Sequence, residues 1–143
     1  MKNPAVIMIA ALLGFAGGCG TQQPATYPVH GKVVFADGSP LRGGTVEFRA
    51  NHSSGQTIIA SGIVAEDGTF QLTTFENQDG AVAGTHQVIV RPKRSAASAE
   101  KFGPAEPLAV DRRFFNYKTS GLEATVTEGD NEIELRVEPP PRG

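Results

Sequence analysis

Apolar and polar residues alternate through most of the chain after residue 28, which is the pattern of β-strands with one buried face. At residues 45–48, Val46 and Phe48 fall on one side, and at residues 132–138 the apolar side chains again take every second position. After Ala16 no stretch has the period of an amphipathic helix. The pattern predicts seven strands, at residues 29–35, 45–48, 57–64, 69–73, 85–91, 122–127 and 132–138.

Short turn sequences separate the predicted strands. Asp37-Gly38 and Asp67-Gly68 each fall between two strands, and residues 129–131 separate the last pair. Because Gly, Asn and Asp tolerate the positive φ of tight turns, these positions favour antiparallel connections. Seven short strands with such turns predict an all-β fold, a seven-stranded antiparallel β-sandwich with one core.

The first 18 residues have the composition of a secretory signal peptide. Lys2 is the only charged residue before Lys32, and residues 5–16 are apolar except for Gly14. A helix needs about 20 apolar residues to cross a bilayer, and this run is shorter. The pattern predicts a signal peptide over residues 1–18, with a buried helix or an uncleaved anchor as the alternative.

Cys19 follows this run directly and is the only cysteine in the chain. With Gly17 and Gly18 it resembles the lipobox of bacterial lipoproteins, although Ala16 stands where leucine is usual. The resemblance implies cleavage before Cys19, a diacylglyceryl thioether on its sulfur, and an exported protein anchored in a bacterial membrane. Residues 19–26 would then be a lipidated tether, and the domain would lie in the periplasm or at the cell surface.

Two further segments resemble the carboxypeptidase regulatory-like domain, a transthyretin-like sandwich. The first, YPVHGKVVFADGSPLRGGTVEF at residues 27–48, contains the Asp-Gly-x-Pro-Leu turn of that family. The second, ASGIVAEDGTFQLTTF at residues 60–75, contains its Asp-Gly-x-Phe hairpin. The resemblance covers residues 27–138 and implies a Greek-key sandwich of the transthyretin-like or immunoglobulin-like kind, as in small bacterial lipoproteins. Residues 139–143 would form a Pro-rich tail.

Residues that could carry chemistry are few and scattered. His30, His52 and His86 lack the close spacing of a compact metal site, and no second cysteine exists to assist them. The chain has no G-x-S-x-G nucleophile turn, calcium-binding loop or phosphate-binding glycine loop. We therefore expect a non-catalytic module without a cofactor. The alternative is a metal-binding or hydrolytic protein that uses the three histidines.

The net charge of the chain argues against nucleic acid as a partner. A formal net charge of −2 offers no positive surface for nucleic acid. The expected partners are the membrane, through a lipid on Cys19, and an envelope protein or a polysaccharide. The sequence thus predicts a structural or binding role in the cell envelope.

Residues 92–120 break the strand pattern and contain three closely spaced aromatic residues, Phe114, Phe115 and Tyr117. We expect this group to fold back over an open edge or end of the sandwich. An apolar patch that contacts a partner is the alternative.

Two hypotheses concern single side chains. Alternation with Val88 and Val90 points His86 inward, as a neutral histidine with one ring nitrogen bonded to backbone. An intramolecular isopeptide bond could join Lys32 to Asn131, although alternation directs Lys32 towards water.

Overall fold

The computed structural model describes residues 22–94 and 108–142. Within these residues the chain is all-β, with nine strands, one 3-10 helix and no α-helix, and it contains no helix suited to crossing a membrane. The strands are β1 (Thr26–Tyr27), β2 (Val29–Phe35), β3 (Gly44–Asn51), β4 (Thr57–Val64), β5 (Thr69–Gln71), β6 (Ala81–Val82), β7 (Gly84–Pro92), β8 (Leu122–Val126) and β9 (Asn131–Val137), and the 3-10 helix is Arg112–Phe115.

Each of the seven strands expected from alternation is present, as β2 to β5 and β7 to β9. The sequence does not predict β1 and β6, because a strand of two residues is too short to show a two-residue period. These two strands pair with each other just before the chain enters β2.

The strands form a three-stranded sheet in the order β5-β2-β9 and a four-stranded sheet in the order β4-β3-β7-β8. All neighbours are antiparallel except β2 and β9, which run parallel from Val29 opposite Asn131 to Phe35 opposite Val137. The expectation of a wholly antiparallel arrangement is wrong for this pair. Residues 127–130 carry the chain from β8 in one sheet to β9 in the other, where β9 runs alongside β2 in the same direction.

The two larger sheets enclose one main apolar core, built from the inward side chains of both. Phe48 of β3 is fully buried at its centre, with its ring centroid 5.9 Å from that of Phe70 and 6.0 Å from that of His86. Both pairs are tilted, an arrangement that aromatic rings favour over face-to-face stacking. The core thus draws on strands from both sheets and ties them into one unit.

The two Asp-Gly turns are built alike. In each, the aspartate Oδ1 accepts hydrogen bonds from the hydroxyl and the backbone N–H of the residue two positions on, Ser39 for Asp37 and Thr69 for Asp67. These hydrogen bonds hold the pKa of both carboxyls below the usual range. The glycine after each aspartate has a φ of 85°, so both predicted turns are confirmed.

The aromatic residues after Val110 fold back onto the sandwich. Phe114 and Val110 are buried in the main core, and Phe115 packs against it. The backbone N–H of Asp111 donates to the carbonyl of Glu138, just after β9, at 2.9 Å. The expectation that this segment covers the sandwich is confirmed, although residues 95–107 of the same loop lie outside the described part.

Candidate functional site

The two larger sheets meet side by side where β4 runs next to the residues after β5. Ser61 and Thr73 exchange two backbone hydrogen bonds of 2.8 and 2.9 Å, and we call this line of contact the seam. Gly62 permits the close approach, because a Cβ there would lie 2.5 Å from the backbone oxygen of Gln71. The seam therefore joins the outer surfaces of both sheets.

A groove of about 950 Å³ lies on the outer surface along the seam. Its lining comes from β2, β5 and β9 in one sheet and from β3 and β4 in the other, with residues 77 and 78 from the loop after β5. Many lining side chains occupy the strand positions that alternate with the core. Most of them carry a hydroxyl, an amide or a charge, among them Lys32, Thr45, Ser61, Gln71 and Glu132.

Asp79 holds the loop that contributes residues 77 and 78. Its carboxylate accepts hydrogen bonds from the backbone N–H groups of Thr74, Phe75 and Glu76 at 2.7 to 3.0 Å, and from the hydroxyl of Thr26 at 3.4 Å. Burial acts to raise the pKa of Asp79, but these hydrogen bonds outweigh it, so the pKa lies below 3.8. The charged carboxylate is thus the form that orders the loop.

The same loop holds a residue in a rarely occupied conformation. Gln78 has a φ of 59°, the only positive φ of a non-glycine residue in the described chain. Its backbone N–H donates to the hydroxyl of Thr73 at 3.0 Å, which anchors it to the seam. Unfavourable backbone conformations of this kind concentrate at binding sites.

Replacing Asp79 tests the role of this carboxylate. We expect Asp79→Ala to lower the free energy of unfolding by about 1–2 kcal/mol at neutral pH, because three backbone donors lose their acceptor. The stabilisation is complete above about pH 4 and disappears as the pH falls through the lowered pKa of the folded state. Denaturant unfolding at a series of pH values should show the two proteins converging in acid.

Glu76→Ala is the matched control, since Glu76 is an exposed acid in the same loop. Its unfolding free energy should follow that of the wild type across the pH series. A stability difference between Asp79→Ala and wild type that stays constant down to pH 2 would contradict the assignment.

Charges in the groove largely cancel. Glu47 forms an ion pair with Arg91 at 2.6 Å and accepts a hydrogen bond from the Tyr117 hydroxyl at 3.1 Å. Burial, and then the charge of Glu47, raise the pKa of Tyr117 to about 12, so its hydroxyl stays protonated as the donor. Lys32 adds one positive charge to the groove, and Glu132 adds one negative charge.

The three histidines lie in three different settings. His30 lines the groove, and its Nδ1 accepts a hydrogen bond of 3.1 Å from the side-chain amide of Gln71. His86 is fully buried in the sandwich and donates from Nε2 to the carbonyl of Val82 at 2.8 Å, while its Nδ1 has no hydrogen-bond partner among residues 22–94 and 108–142. The prediction of an inward His86 bonded to backbone is confirmed.

His52 lies in the loop between β3 and β4, where its Nδ1 is 3.2 Å from the hydroxyl of Ser54. The backbone N–H of Ser54 also approaches this nitrogen, at 3.5 Å. A serine nucleophile needs a histidine that is itself oriented by a third group. Among the described residues none makes a hydrogen bond to Nε2 of His52, so this local contact does not form a triad.

The structure does not bring the histidines together. His30 points outward from β2 and His86 inward from β7, so one metal ion could not bind both. No group of three or more His, Cys, Asp or Glu side chains suited to a metal ion is found in residues 22–94 and 108–142. A single metal site built from all three histidines is therefore not supported.

The hypothesis of an isopeptide bond is wrong. In the parallel pair, Lys32 lies opposite Glu134, whereas Asn131 lies opposite Val29. Lys32 is exposed, as alternation indicates, and the amide of Asn131 donates to the carbonyls of Thr127, Gly129 and Pro28. The two side chains cannot meet without shifting the register.

Several expected features lie outside the described residues, namely the signal peptide at 1–18, Cys19 and the first part of the tether. The groove, conversely, is not apparent from sequence analysis, because its residues come from six separate places in the chain. Gly31 and Gly62, each inside a strand, are the signals in the sequence of a close backbone approach at the groove, since a Cβ at either would lie 2.5 Å from a neighbouring backbone oxygen.

The chain was compared with known proteins in three ways, by family models, by curated sequences and by solved structures. No family model, curated protein or solved structure matches it.

Proposed function

We propose that this protein is an exported lipoprotein, anchored in a bacterial membrane through Cys19, whose sandwich is a non-catalytic binding module of the cell envelope. The observation that carries the binding role is the groove at the seam. Its polar side chains converge from both sheets, and its volume of about 950 Å³ is at the upper end of the range for ligand sites. The anchor is supported by the leader-like composition before Cys19.

We also propose that the sandwich belongs to the transthyretin-like, carboxypeptidase regulatory-like class. The two Asp-Gly motifs that carry this resemblance form turns with matching hydrogen bonds at Asp37 and Asp67. The seven longer strands divide into sheets of three and four. A fold of this kind hosts many functions, so the binding role is argued from the groove alone.

The side chains at the groove support a non-catalytic role. His30 is the one imidazole that the described residues bring to the groove, and its Nδ1 already accepts a hydrogen bond from Gln71. The Glu47 carboxylate, which could act as a base, is held by Arg91 and Tyr117. A general base must reach a substrate proton, and each oxygen of Glu47 already accepts one of these contacts.

Metabolic labelling tests the anchor. The full chain would be produced in a bacterium that processes lipoproteins and is supplied with an alkyne-bearing fatty acid. We expect the wild type to carry the label and Cys19→Ser to carry none, because Cys19 is the only thiol. Gly20→Ser, one residue on, should be labelled like the wild type. A wild type without label, or a labelled Cys19→Ser, would refute the anchor.

A further inference from the structure

We propose that the groove at the seam binds a neutral oligosaccharide, an inference that rests on the proposed function because it names the ligand of the same module. The groove combines uncommitted hydroxyl and amide side chains, balanced charge and one exposed aliphatic wall. Together these three features favour an uncharged polyol as the ligand.

The first feature is hydrogen-bonding capacity. Within the described part of the chain, the side chains of Thr45, Ser61, Asn77 and Gln78 make no hydrogen bond to protein, although all four line the groove. A hydroxyl or a carboxamide can both donate and accept. Sugar hydroxyls have the same dual capacity, so a row of such groups suits a polyol.

The second feature is charge. Lys32 and Glu132 are opposite in sign, and the charge of Glu47 is neutralised by Arg91. A phosphate or an acidic peptide would meet the opposite charges of Lys32 and Glu132, which offset each other and give little electrostatic gain. A basic peptide would meet Lys32 at the same surface. Balanced charge thus favours an uncharged ligand.

The third feature is the aliphatic wall. Ile63 of β4 lines the groove with 80% of its surface exposed. The C–H face of a sugar ring is apolar and can cover such a side chain, which gains free energy from the buried area. Gln78 lies at another part of the lining, where the hydrogen bond from its backbone N–H to the Thr73 hydroxyl holds its backbone in place.

The test is a binding measurement on the full chain in a zwitterionic detergent, so that no sugar headgroup competes. The neutral probes are cellohexaose, maltohexaose, xylohexaose and chitohexaose. Hexagalacturonic acid is the anionic counterpart, and a pool of synthetic hexapeptides represents extended peptides. Saturation-transfer NMR detects binding, and titration calorimetry measures its affinity. We expect at least one neutral probe to bind and hexagalacturonic acid to bind more weakly.

The groove variant combines Asn77→Ala with Gln78→Gly. Glycine accepts the φ of 59° at position 78, so the loop keeps its conformation while losing the side chain. Loss of two or more hydrogen bonds should weaken binding by about tenfold or more. The control variant combines Gln56→Ala and Thr125→Ala, exposed positions outside the groove, and should bind like the wild type. Ile63→Ser is a second groove variant and should also weaken binding.

Each outcome bears on the inference. Binding of a neutral probe that is lost in both groove variants and kept in the control supports it. Equal binding by wild type and groove variants, or no binding of any neutral probe, overturns it. Preferential binding of hexagalacturonic acid or of peptides at the groove overturns the neutral oligosaccharide as the ligand. It remains consistent with the proposed function of the sandwich as a binding module. Absence of fatty-acid label on the wild type would instead refute the proposed lipid anchor at Cys19.

Discussion

Phe48→Ala is expected to lower the free energy of unfolding by about 3–5 kcal/mol, the usual cost of truncating a buried phenylalanine. Phe48 is fully buried and lies between the Phe70 ring of one sheet and the His86 ring of the other. Truncation would leave a cavity where both sheets contribute side chains. Since a typical domain is stable by about 5–15 kcal/mol, the variant should be close to unfolding.

Denaturant unfolding followed by circular dichroism measures the effect. Phe75→Ala is the matched control, because Phe75 lies in the loop after β5 and is 39% exposed. We expect it to change the unfolding free energy by about 0.5 kcal/mol or less. Equal losses in the two variants would mean that Phe48 does not occupy the shared core.

Asn131 should have the second-largest effect. Its side chain accepts hydrogen bonds from the backbone N–H and the hydroxyl of Thr127, and it donates to the carbonyls of Thr127, Gly129 and Pro28. The residue is buried, so truncation leaves polar groups without partners. We expect Asn131→Ala to lower the free energy of unfolding by about 2–4 kcal/mol.

The Asn131→Asp variant distinguishes the contribution of the hydrogen bonds to stability from the contribution of side-chain packing. An aspartate keeps the size of the side chain but directs a carboxylate at three carbonyl oxygens, so it should destabilise the protein nearly as much as alanine. Asp130→Ala, at the exposed neighbouring position of the same turn, should be close to neutral. An Asn131→Asp variant as stable as the wild type would show that the amide donors do not hold the turn.

Much of the fold follows from local sequence. Alternation marks the longer strands because one face of each is buried, as Val46 and Phe48 illustrate. The Asp-Gly turns are recognisable because their side-chain hydrogen bonds reach only two residues, from Asp37 to Ser39 for example. Apolar residues outside the strand pattern, such as Phe114, point to a covering segment.

Other features depend on contacts between distant parts of the chain. The parallel pairing of β2 with β9 has no local signature, since Val29 and Asn131 lie about one hundred residues apart. The groove is equally hidden, because Thr45, Ser61 and Gln78 look like ordinary solvated positions until the seam brings them together. Alternation gives the face on which a residue lies but not which strand adjoins it.

The proposed lipid anchor at Cys19 determines where the sandwich would lie, and mass spectrometry of the mature N-terminus measures whether this residue is modified. Trypsin should release a first peptide that spans residues 19–32, because no lysine or arginine lies between Cys19 and Lys32. We expect this peptide, from protein extracted from the membrane, to begin at Cys19 and to carry a diacylglyceryl group on its sulfur. A free thiol at Cys19, or a mature chain that still contains residues 1–18, would contradict the account.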